Sequence, residues 1–360
     1  MANLVYVAVS TDYKSLVNRH YKNVLYNPTR QNFDMLLKKD RYEKSVNFGD
    51  SGGYMIANCD GSDDKKCKVV IGAGIQIKPD IVIIDPIDLC RKYGQLDIKY
   101  GFTLDYPFWE KEIDSENFSR KLKDSHRWAK SMFEVKERFC PRTELIIPLH
   151  FYTKEQLASY YRKMAKLAPA GYAIPACQKR DSEDVIQISY ALAYLHDHGI
   201  KKVHILGNSY RVVISIMAAA QILGMFETIS FDSRTYNNAN FISNDYFYLN
   251  PMILKKENIV RGETMITHFL PPRLEGHIEF SPDEDFSVAK DKINLINAFA
   301  IRRYANRFAE KAGNISELKA YLPEAGFNKQ EIIKAEVGID VLNDSKTKGF
   351  GYVKRHYNWY

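Results

Sequence analysis

Ser45-Val46-Asn47-Phe48-Gly49-Asp50-Ser51-Gly52-Gly53-Tyr54 runs from a short apolar segment into a carboxylate, a hydroxyl, a pair of glycines and an aromatic. The apolar part reads as a strand, so Asp50 falls at its carboxyl end, where α/β folds build their sites. Gly52 and Gly53 let backbone amides approach a flat ligand, and Tyr54 offers a ring face to stack on. The arrangement recurs: Asp105, His150, Leu206-Gly207 and Asp232 each follow an apolar run. Strands are expected at residues 4–9, 45–49, 80–84, 98–104, 144–149, 171–174, 202–206 and 228–231. Helices lie between them, one opening at Thr153 with Gln156 as its capping partner, one over 182–198 that stops at Gly199, and one from Asn208 to near Gly224. This rhythm, held to about residue 240, predicts parallel βα units. Informative residues at the same end of several strands favour a closed (β/α)8 TIM-like barrel over an open doubly wound sheet, which concentrates its site at one switch point.

A chain of 360 residues with 45% hydrophobic content can bury a large core, which excludes a disordered or fibrous protein. We expect the barrel over 1–312 and a helical C-terminal extension over 313–360. Residues 271–285 read as a Pro- and acid-rich loop, and 294–311 as a basic amphipathic helix bearing Arg302, Arg303 and Arg307. The longest apolar run, 213–223, is too short to span a bilayer, and Asp12 and Lys14 interrupt any leader-like start. A cytoplasmic protein with no membrane partner is expected, in a host cytoplasm if the gene is phage-borne. Five cysteines without CxxC spacing read as free thiols, with no metal site. Gly72-Ala73-Gly74 lacks the third glycine of a dinucleotide fingerprint, and Lys78-Pro79 interrupts the helix it would open. His196-Asp197-His198 stands at a helix end, where histidine suits the macrodipole better than it suggests a metal.

The net charge of +7 permits a polyanionic partner without demanding one. From Lys346 to Tyr360 the chain carries Lys346, Lys348, Lys354 and Arg355, no acid, and Phe350, Tyr352, Tyr357, Trp359 and Tyr360 between them. Cations for phosphates with aromatics for bases is a nucleic-acid pattern, and the same aromatics equally suit docking on the protein body. Arg234, Arg302, Arg303, Lys354 and Arg355 are the candidate nucleic-acid contacts. Among the acids, Asp50, Asp105 and Asp232 share the strand-end context. A carboxylate nucleophile with a separate acid/base carboxylate suits displacement at a sugar carbon, where positive charge develops.

Asp50-Ser51-Gly52-Gly53-Tyr54 resembles the DSGG(F/Y) signature of tRNA-guanine transglycosylases, and Phe231-Asp232-Ser233 with Tyr236 and Ala239 resembles their FDS segment, closest to the archaeal branch. Leu104-Asp105, Gly171-Tyr172-Ala173-Ile174 and His204-Ile205-Leu206-Gly207 match further family segments in order and spacing. The resemblance implies that Asp232 attacks the sugar C1′ and expels guanine, and that an incoming 7-deazaguanine resolves the covalent intermediate. It implies Asp50 as general acid/base, with Ser51, Gly52, Gly53, Asp105, Gly171 and Gly207 lining the base site, Tyr54 below the base and Leu206 above. No cofactor is implied. Guanine's N1 and 2-amino groups are donors, so ionised aspartates are fitting acceptors.

The chain departs from the family in three places. It has no cysteine after Cys177, so the family's zinc ligands are absent. Pro148-Leu149-His150 stands where the family has V-Q-G, which makes His150 a candidate base contact, and Pro175-Ala176 replaces a Gly-Gly. Loss of the zinc and the basic aromatic tail make the chain similar to the DpdA-type DNA-guanine transglycosylases. The expected partners are therefore DNA and a 7-deazaguanine such as preQ0, with tRNA exchange or a catalytically silent nucleic-acid-binding relative as alternatives.

Overall fold

A computed structural model describes residues 4–10, 15–28, 46–52, 67–70, 74–77, 82–107, 115–175, 182–233, 246–250, 255–259, 270–275, 278 and 285–358. The first half runs β1 (Val5–Ser10), α1 (Leu16–His20), β2 (Asn23–Tyr26), β3 (Val46–Gly49), β4 (Cys67–Val70), β5 (Gly74–Ile77), β6 (Val82–Ile84), α2 (Pro86–Gln95), β7 (Tyr100–Phe102), α3 (Ser115–Phe139), β8 (Glu144–Pro148), α4 (Lys154–Met164) and β9 (Gly171–Pro175). The second runs α5 (Ser182–Asp197), β10 (Lys202–Leu206), α6 (Arg211–Ile222), β11 (Thr228–Ser233), β12 (Tyr246–Asn250), β13 (Lys255–Ile259), α7 (Pro272–Glu275), α8 (Phe286–Lys311), α9 (Ile315–Tyr321), α10 (Lys329–Lys348) and α11 (Phe350–His356).

The strands β1-β11-β10-β9-β8-β7-β3-β2 form a closed parallel barrel, with helices in the connections and further helices at the C terminus, as expected for a (β/α)8 fold. Its eighth strand corrects the sequence reading. The barrel uses β2, whereas the expected strand at 80–84 is β6, the edge of an antiparallel sheet β4-β5-β6. Gly74 opens β5, which pairs antiparallel with β4, so the Gly-Ala-Gly stretch precedes a strand and not the helix a dinucleotide site requires. The loop expected over 271–285 contains α7, and α8 begins at Phe286, eight residues before the helix expected at 294, because Asp285 caps its amino end.

The chain divides into two compact units, residues 1–23 with 179–359 and residues 24–178 with 360. In the first, α6 is mostly apolar and buried from Val212 to Gln221, with Ser215 and Gln221 the polar residues in that stretch, the composition of a helix covered on most sides. Helix α10 starts with a capping box between Asn328 and Glu331 and packs on α5 and α6. Arg211 at the start of α6 bonds Glu331 Oε1 at 2.7 Å and the Gly326 carbonyl at 2.7 Å, which fixes the turn before α10. The basic aromatic stretch at the C terminus is helical, as the end of α10 and as α11. Phe350 sets its ring 5.1 Å from Tyr190 and 5.6 Å from Tyr194 on α5, and Tyr357 donates to Asp344 at 2.9 Å, so these aromatics dock on the body while Lys354 and Arg355 are exposed. Trp359 and Tyr360 lie outside the described residues.

In the second unit, Leu89, Cys90 and Tyr93 of α2 pack with Trp128 and Met132 of α3 and with Leu104, Tyr106 and Leu145. Cys90 and Cys140 are free thiols buried in this cluster. Asp85 caps α2 by accepting from the Ile87 and Asp88 amides, with Pro86 at the first helical position. Thr153 and Gln156 form the expected capping box of α4. Among the described residues no helix is long and apolar enough to cross a membrane.

Candidate active site

The strand register assembles the environment of Asp232. In β11, Ser230 and Asp232 are two residues apart and share one face. His204 of β10 is the register partner of Ser230, which brings its ring beside both. His204 Nε2 lies 2.9 Å from Asp232 Oδ1, and its Nδ1 lies 2.8 Å from Ser230 Oγ. The Gly207 amide donates to the same Oδ1 at 2.8 Å. Gly207 holds φ of 66°, a conformation that costs a side-chain-bearing residue about 1–2 kcal/mol, and this turn aims its N–H back across to β11. Asp232 is 5% exposed and His204 is fully buried. Among the described residues nothing hydrogen-bonds Asp232 Oδ2.

The second unit carries its own carboxylates at strand ends. Asp50 directly follows β3, and its amide donates to the Tyr26 carbonyl of β2 at 2.7 Å. Its Oδ2 accepts from Asn27 Nδ2 at 2.9 Å and its Oδ1 from the Gly52 amide at 3.2 Å. Asp105, three residues past β7, is 4% exposed. Its Oδ1 accepts from Ser51 Oγ at 2.8 Å, and its Oδ2 lies 2.6 Å from His150 Nε2. Each oxygen keeps a lone pair beyond these bonds, so the carboxylate can still accept from a ligand. His150, the candidate base contact, stands against Asp105 through this bond.

Tyr93 sets the strand ends that carry these groups. Its hydroxyl is shared between the carbonyls of Gly49, at 3.0 Å, and Phe102, at 2.7 Å. A Cβ at Gly49 or Gly101 would overlap its ring, so both glycines are required to seat it against β3 and β7. Burial first, and then the charge of Asp50, holds the Tyr93 phenol well above its ordinary value, with Asp105 adding to the shift. It stays a donor. Tyr160 of α4 is raised likewise, by burial and then by Asp105, and its ring meets His150 edge-on at 6.2 Å.

The other expected site residues are spread over several elements. Leu206 ends β10 at the same strand end as Gly207. Gly171 opens β9, at the amino end, pairing with Ile146, and stands about 13 Å along its strand from Pro175 at the other end. Arg302 and Arg303 are exposed on α8. Gly53, Tyr54, Arg234, Tyr236 and Ala239 lie outside the described residues. His196 and His198 each turn Nδ1 to a carbonyl, of Met225 and Tyr194, both at 2.8 Å, as expected of histidines at a helix end. His204 and Tyr93 escaped the sequence reading. The one signal for His204 was a titratable residue at an alternate position of an otherwise apolar strand.

Fold and site together define a (β/α)8-barrel protein with bonded carboxylates at strand ends. No family model matches the chain. A Bacillus licheniformis protein described as an uncharacterized N-acetyltransferase, p20, is 28% identical over 105 residues, which is 29% of this chain and 57% of that protein. The chain thus spans little more than half the length of the relative it matches.

Proposed function

We propose that this protein is a base-exchange transglycosylase that removes guanine from DNA and inserts a 7-deazaguanine of the preQ0 type. Asp232 is the nucleophile, and Asp50 carries the proton that guanine takes on leaving and that the incoming base gives up. The observation that carries this reading is the state of Asp232, with one oxygen held by His204 and the Gly207 amide and the other, among the described residues, without a hydrogen bond. That is how a carboxylate is prepared for attack through a single oxygen. Asp105 with Ser51, and Asp50 beside them in sequence, supply acceptors suited to the N1–H and 2-amino donors of guanine. In one unit Asp232 is the penultimate residue of β11, and in the other Asp50 and Asp105 come just after β3 and β7, so each acid stands at the carboxyl end of its strand, the end at which (β/α)8 barrels bind substrates.

The choice of DNA rests on the resemblance to the zinc-free group and on the exposed cations Arg302, Arg303, Lys354 and Arg355. The likeness to the N-acetyltransferase covers too little of either chain to weigh against it. The protein is offered guanine-labelled duplex DNA, single-stranded DNA and tRNA in parallel, each with 7-cyano-7-deazaguanine, and guanine release is measured. Release from DNA is the expected result. Release from tRNA alone moves the substrate to RNA, and binding without release from any polymer identifies a silent relative and contradicts the proposal.

A further inference from the structure

We infer that His204 is the positioning residue of Asp232, which fixes Oδ1 so that only Oδ2 attacks and then holds Oδ1 as the ester carbonyl. The inference rests on the transglycosylase reading above and adds a residue to it. His204 is fully buried and has both ring nitrogens engaged, Nε2 on Asp232 Oδ1 at 2.9 Å and Nδ1 on Ser230 Oγ at 2.8 Å. With the ring proton on Nε2, facing Asp232, Nδ1 accepts from the Ser230 hydroxyl, which anchors the ring on the side away from Asp232. With the Gly207 amide, Oδ1 has two partners, one a buried ring of β10 and the other a backbone N–H just after that strand.

In the covalent step, Oδ2 bonds to C1′ as the C1′–N9 bond breaks and its electron pair leaves with guanine, which takes a proton from Asp50. Asp232 loses its charge, and Oδ1 becomes the carbonyl oxygen of the ester. The same two donors face it before and after. When the incoming base attacks C1′, its N9 proton returns to Asp50 and the pair of the ester bond returns to Asp232. A donor preset on this oxygen needs no reorganisation in either direction, which is the condition under which such donors matter most.

The test measures covalent adduct formation on guanine-containing DNA, with KM and kcat taken separately. His204→Phe is expected to lower kcat by about 100-fold, the lower range for loss of one preset donor, with KM for DNA unchanged. His204→Gln, which restores an N–H near the Nε2 position, is expected to recover to within about tenfold of wild type. A structural role would lower melting temperature in both variants without this split. If His204→Phe does not fold, Ser230→Ala carries the test, with an expected fall in kcat of about fivefold from the loss of one hydrogen bond to the ring. Wild-type adduct with unchanged rates in the folded variants overturns the role of His204 and leaves the transglycosylase reading standing. No adduct from wild type overturns that reading, and the role of His204 with it.

Discussion

Asp232 Oδ1 accepts from an imidazole on the neighbouring strand and from an amide in the turn after it, so its position follows from β10 and not from its own strand alone. Gly207→Ala keeps that amide only by holding a left-handed conformation, at about 1–2 kcal/mol. We predict a folded variant with kcat lowered at least about tenfold, measured as guanine release. The Asp105–His150 pair is buried on both sides, at 4% and 6% exposure. Removing His150 leaves the buried Asp105 short of a hydrogen-bond partner, so His150→Ala is predicted to cost about 1–3 kcal/mol in urea unfolding, and His150→Gln, which keeps a donor, less. At this scale the acids were legible, because Asp50, Asp105 and Asp232 each end or closely follow an apolar run. His204 was not, since its meeting with Asp232 is made by a register between strands that no single segment encodes.

The elements that position the site are held by close approaches that tolerate little change. The Tyr93 hydroxyl serves the carbonyls of both Gly49 and Phe102, one residue before Asp50 and three before Asp105. Tyr93→Phe leaves those buried carbonyls short of a donor and is predicted to cost about 1–3 kcal/mol, measured by urea unfolding. A Cβ on Gly338 of α10 would stand 2.7 Å from Ile216 Cδ1 and 2.8 Å from Ser189 Oγ. Gly338→Val is therefore predicted to push α10 off α5 and α6 and cost about 1–3 kcal/mol by overpacking, read as a lower melting temperature. The helices between β7 and β11 were legible where caps marked them, as at Thr153 and Gly199. Strand β2 was missed because four residues after a five-residue helix carry too little periodicity, and 80–84 took its place because three apolar residues look alike in a barrel or at the edge of a hairpin sheet.

Across the whole molecule, burial raises the phenols of Tyr21, Tyr26, Tyr93, Tyr160 and Tyr304 above their ordinary value. The unfolded chain ionises them near pH 10, so the stability they contribute is complete below about that pH and is lost as pH rises toward their folded values. Melting temperature is predicted to fall steeply above about pH 10, with phenolate absorbance from these residues appearing together with unfolding and not before it. The central claim concerns one oxygen of one carboxylate, and its most direct test is the covalent adduct. The protein is mixed with guanine-containing DNA, denatured during turnover, and searched for a DNA–protein bond by gel shift and peptide mass. The account predicts an adduct on the peptide that holds Asp232, present in wild type and absent in Asp232→Asn. An adduct that persists in Asp232→Asn, or no adduct on any polymer under turnover, would contradict it.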